Sequence, residues 1–133
     1  MKLLSILPLL SLFLSNCKTA EPIELNAPGS DSEGYLYSYN GDRMPKPSIQ
    51  FDLSEYFPLE ARQAGIQERM VVVIVQIDEE GNLRGAKIGS EKIGFGFDEA
   101  ALKIVERATW QPGILNGKPI KMHHRVPVIF RLN

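Results

Sequence analysis

Between Met70 and Ile77 the chain reads Val71-Val72-Val73-Ile74-Val75, a β-branched run that predicts a strand. Asp78-Glu79-Glu80-Gly81-Asn82 follows as a glycine-containing hairpin loop, and Leu83 to Ile88 is the return strand. Upstream, Leu59 to Ala64 has the composition of a short helix, with Pro58 suited to its first turn and Gly65 to its end. From Phe97 to Thr109 the apolar positions change period. Ala101, Ile104, Val105 and Ala108 recur at helical spacing, and Glu99, Lys103, Glu106 and Arg107 cover the wet face. Asp98 and Glu99 suit the positive end of that helix, and Pro112 is expected to stop it.

Asn116-Gly117-Lys118-Pro119 is a turn, and Lys121 to Leu132 predicts a last strand. Its alternation puts Met122, His124, Val126, Val128 and Phe130 on one side, and His123, Arg125, Pro127, Ile129 and Arg131 on the other. The order helix, strand, strand, helix, strand predicts an α+β fold: a three-stranded, mostly antiparallel sheet backed by two helices. If the last strand flanks the first, it forms an edge. Val72, Ile74 and Ile129 then lie on the face that the helices leave open. Such a patch suits a partner surface, a dimer seam, or a dock for Tyr35, Tyr37 and Tyr39.

The chain has 133 residues, enough for one domain with a tail, and its formal net charge is -1. There is no basic excess to draw nucleic acid or an anionic membrane. Residues 1–16 read as a signal peptide, with a basic start and an apolar stretch from Leu3 to Leu14 too short for an ordinary membrane helix. Cys17 is the only cysteine and sits where cleavage should fall, so no intrachain disulfide is available. Residues 17–48 read as a tether rich in proline and glycine. Tyr35 to Tyr39 interrupts it with enough aromatic content to form a short strand or to dock on the domain. The folded domain is expected over residues 49–133.

Catalytic and metal chemistry find little support. His123 and His124 are adjacent on a strand and point to opposite faces, which rules out a shared metal without distortion. Asp52, Glu55 and Glu60 have no histidine partner nearby. The glycines between Ser90 and Gly96 are not followed by the Gly-Lys-Ser or Gly-Lys-Thr of a phosphate loop. Trp110 reads as a residue that closes the core after the helix. No catalytic residue, metal site or cofactor is expected.

Two resemblances add to this reading. The leader and Cys17 resemble a bacterial lipoprotein signal, in which the cysteine carries the lipid, although Asn16 stands where such signals usually have glycine or alanine. Further along, Tyr56-Phe57-Pro58, Ala61, Ala64-Gly65-Ile66, the valine-rich strand, the acidic turn, Phe97-Asp98-Glu99-Ala100-Ala101, Trp110-Gln111-Pro112 and Asn116-Gly117-Lys118-Pro119 come in one order. In that order they resemble the C-terminal domain of the TonB family, over Tyr56 to Leu132.

That resemblance implies a periplasmic module that takes an N-terminal peptide of an outer-membrane receptor onto the open edge of its sheet, in the import of iron chelates or vitamin B12. The edge residues it implies here are Arg125, Pro127, Ile129 and Arg131, with Gln111 and Pro112 nearby. The family's energy transducers have an uncleaved membrane helix and a long proline-rich span, and this chain departs from both. The expected localisation is the periplasmic side of the envelope, lipid-anchored at the outer membrane. The alternative role is a lipid-anchored structural envelope protein that self-associates as a homodimer.

Overall fold

A computed structural model describes residues 29–132. The leader and Cys17 lie outside the described residues. The elements in chain order are β1 (Leu36–Tyr37), β2 (Lys46–Ser48), α1 (Leu59–Gln63), β3 (Glu68–Ile77), β4 (Leu83–Ile88), α2 (Phe97–Arg107), β5 (Thr109–Gln111), β6 (Gly113–Leu115), β7 (Lys118–Ile120) and β8 (Met122–Arg131). Among the described residues no helix is long and apolar enough to cross a membrane.

The strand predicted from the β-branched run is the centre of the molecule. Val71, Val73, Val75 and Ile77 are fully buried, and Val72, Ile74 and Gln76 lie half-buried on the opposite face. β3 pairs antiparallel with β4 on one side and with all of β8 on the other. The hairpin turn is organised by Asp78, whose carboxylate accepts from the backbone N–H of Glu80 and Asn82 and from Arg84 Nε. These bonds, above all those from Asn82, hold its pKa down at about 2.

One expectation about the sheet is corrected here. The main sheet has four strands, in the order β1-β8-β3-β4, not three. The added strand is the aromatic segment before the domain. Leu36 and Tyr37 pair parallel with Met122 and His123, and the Leu36 N–H donates to the Lys121 carbonyl at 3.1 Å. The aromatic content of Tyr35 to Tyr39 points to a short strand or a docked segment there, but its partner, far away in sequence, is set by tertiary pairing that local propensity does not encode. The last strand is therefore not an edge at its first two positions.

α2 also ends earlier than expected, at Arg107 and not Thr109, and Pro112 is not what stops it. Ala108 is already extended, and Thr109–Gln111 pairs antiparallel with β2. The indole of Trp110 turns inward, and its Nε1 donates to the Val105 carbonyl at 3.0 Å. It thus satisfies one of the carbonyls left open at a helix C-terminus. Tertiary pairing and a buried indole override the helical pattern of Ala108 and its neighbours.

The start of α2 is held by its own side chain. Asp98, buried, accepts the backbone N–H of Gly94 at 2.8 Å and of Ile93 at 3.2 Å. Behind β3 and β8 the helices close a core in which Phe57, Phe97 and Phe130 meet ring to ring. The Asn116-Gly117 turn joins β6 and β7, with both residues at positive φ, 53° and 76°. That is the mirror-image geometry of a two-residue hairpin.

Candidate functional site

The direction of each backbone group along β8 follows from one hydrogen bond and a register. The Gly89 N–H donates to the Val72 carbonyl at 2.7 Å. Even-numbered residues of β3 therefore face β4 with their backbone, and odd-numbered ones face β8. Val71, Val73 and Val75 stand opposite Val128, Val126 and His124, so the even-numbered residues of β8 bond inward. His123, Arg125, Pro127, Ile129 and Arg131 turn their backbone groups outward. Two further bonds agree: the Leu132 N–H reaches the Gln67 carbonyl at 3.0 Å, and the outward carbonyl of Lys121 receives Leu36.

β1 occupies only the first two positions of this flank. From Arg125 to Arg131, no backbone hydrogen bond from elsewhere among the described residues reaches the outward groups. Arg125, Pro127, Ile129 and Arg131 are exposed. The structure thus brings together four of the residues that the family resemblance implied. Arg131 forms a 2.6 Å ion pair with Glu68, both more than half exposed and so weakly coupled in water.

The other two named residues stand elsewhere. Gln111 pairs with Lys46 in the small β2–β5 ladder, and Pro112 packs near Gly81 at the hairpin turn. Val72 and Ile74 lie on the face away from the helices. Ile74 lines a cleft of about 560 Å³ with Asp31, Gln76, Lys87 and His123. That face is partly covered by the chain before the domain: Gln76 Nε2 donates to Asp31 and Glu33 at 3.0 and 3.1 Å.

A second feature of the flank was not anticipated. On its helix side lies an apolar groove of about 110 Å³, lined by Pro47, Ile49, Leu53, Ile104, Val105, Ala108, Trp110 and β8 from Val126 to Ile129. Pro47, Ile49 and Leu53 come from the stretch in which tether was expected to give way to domain. Their alternation of apolar positions was the available signal, diluted by the prolines around it.

At the other end of the flank, Ser38 Oγ lies 2.8 Å from His124 Nδ1, and the Tyr37 ring meets His123 edge-on at 5.0 Å. Burial lowers the pKa of both histidines; for His123 the nearby Asp31 opposes the shift. Among the described residues no group of three or more His, Cys, Asp or Glu is placed to hold a metal.

Comparison with protein families agrees with this architecture. The model for the C-terminal domain of the Gram-negative bacterial TonB protein matches residues 54–132, more than half of the chain. No curated protein matches it.

Proposed function

The chain belongs to the TonB C-terminal family, whose domains are interaction modules and not catalysts, and on that premise we propose that it captures a short extended peptide on the outer flank of β8. The outward, unpaired backbone of Arg125 to Arg131 carries the reading. An added strand would gain main-chain hydrogen bonds there and read the alternating side chains beside it. The proposed partner is the N-terminal segment of an outer-membrane receptor, in the transport of iron chelates or vitamin B12. The proposal is for capture, not for energy transduction. From the leader, we further propose a periplasmic protein held at the outer membrane by lipid on Cys17, on the domain boundaries given above.

A photocrosslinking residue at Arg125 in intact cells tests the reading. The expected product joins the chain to the N-terminal segment of an outer-membrane receptor, and Ile129→Pro abolishes it. No receptor crosslink from the otherwise native chain, or a receptor crosslink that Ile129→Pro leaves unchanged, would sink the proposal.

One observation favours the self-associating alternative. Met70 and Ile129 stand opposite each other in the β3–β8 ladder and are 53% and 49% exposed, a paired apolar surface on the open face. A crosslink only to a second copy of the chain would support that role.

A further inference from the structure

We infer that the groove beside β8 is a selectivity pocket that takes one branched aliphatic side chain from the captured strand, while Arg125 takes a carboxylate from a neighbouring position of that strand. The inference rests on the capture reading and names the chemistry of the partner.

Side chains of a strand added to the flank must alternate between the two faces of the sheet. On the helix side they meet the groove, whose walls from Pro47, Ile49, Leu53 and Trp110 are apolar. The groove is continuous with the unpaired backbone, since Val126 to Ile129 line it. Its size selects. A dry cavity of about 150 Å³ holds benzene, so a groove of about 110 Å³ suits valine, isoleucine or leucine and is short for an indole. Ile49 is 40% exposed, apolar surface at the mouth of the groove that such a side chain would cover.

On the other face the next side chains meet positive charge. Arg125 stands at the flank, opposite Ile74, and has no acidic partner among the described residues, whereas Lys87 lies beyond Ile74 on β4 and shares its cleft with Asp31 and Glu33. The ligand therefore alternates apolar and acidic positions. Pro47, Ile49 and Leu53 lie before the residues that match the family, so this wall belongs to the chain's own upstream segment.

The test uses the full chain and short labelled peptides of alternating threonine and glutamate, with one central threonine replaced by alanine, leucine or tryptophan. Anisotropy titrations are expected to show leucine binding roughly tenfold more tightly than alanine, and tryptophan no better than alanine. Ile49→Glu, at a half-exposed position that leaves the fold intact, is expected to erase the leucine preference. Ala108→Leu, which fills the groove, should do the same. Arg125→Gln should weaken every glutamate peptide and flatten the salt dependence.

Binding that ignores the central side chain overturns the pocket and leaves the capture reading standing. Failure of every peptide, with circular dichroism showing a folded chain, overturns both. Concentration-dependent dimerisation that Ile49→Glu abolishes shows that a second copy fills the groove, and overturns the choice of occupant.

Discussion

Pro127 stands opposite Val72 in the β3–β8 ladder, at a position where neither residue bonds the other. The missing N–H of the proline therefore faces out of the sheet and costs the ladder nothing. Proline in a strand is tolerated where its donor would have faced away from a partner. Its place in the interior of the strand order is possible only because that stretch of the flank is unpaired.

The same parity separates two neighbouring substitutions. Ile129→Pro removes an outward N–H and is expected to leave thermal stability nearly unchanged while abolishing peptide capture. Val128→Pro removes a bond to Val71 inside the paired ladder, leaving the Val71 carbonyl unpartnered, and should destabilise by about 1–3 kcal/mol. Parallel denaturation curves and binding titrations check both, and equal destabilisation by the two variants would refute the assigned parity.

Trp110 has two roles that substitution can divide. Trp110→Phe loses the bond to the Val105 carbonyl and should cost about 1 kcal/mol. Trp110→Ala also empties the core edge and should cost ~3–5 kcal/mol. Urea denaturation measures both.

Asp78 makes the hairpin turn acid-sensitive. Its folded pKa of about 2 lies below the ordinary carboxylate value, so the native state favours the ionised form. Its contribution is complete above roughly pH 4 and fades as the pH falls toward 2. A melting-temperature profile of Asp78→Asn against the native chain should show a gap at neutral pH that narrows in acid. A gap constant down to pH 2 would show that the carboxylate charge is irrelevant.

The attachment of β1 should loosen in mild acid. Burial lowers the pKa of His123 and His124, so the docked state prefers both rings neutral. The contribution is complete above about pH 6.5 and declines as the pH falls through the lowered values. Hydrogen exchange at the Leu36 amide, whose bond to Lys121 reports docking, should accelerate between neutral pH and pH 5, after correction for intrinsic rates. In His124→Phe the acceleration should shrink.

Fatty-acid labelling of cells that express the chain should mark the native protein and leave Cys17→Ser unlabelled. Equal labelling of both would remove the lipid anchor from the proposal.

Much of this protein was legible before folding was considered. β3 declared itself by five consecutive β-branched residues, α2 by its apolar period, and the alternation in β8 assigned both faces of that strand correctly. These signals are local: each depends on rotamer freedom or burial within one element, and a residue's neighbours suffice to read them. The family resemblance put Arg125, Pro127, Ile129 and Arg131 on the strand that carries the unpaired flank and Gln111 and Pro112 near it; Gln111 stands in the β2–β5 ladder and Pro112 just after it.

Tertiary structure decided what lies beside that strand. Leu36 pairs with Met122, Lys46 with Gln111, and Pro47 and Leu53 line one groove with Val126 and Val128. Such contacts join distant stretches, and their free energy exists only once the intervening chain has paid its loop-closure entropy. No local pattern encodes them. The sequence by itself therefore determined the strands and the faces they present. Only the folded chain decided how much of the last strand stays open, and which side chains wall the opening.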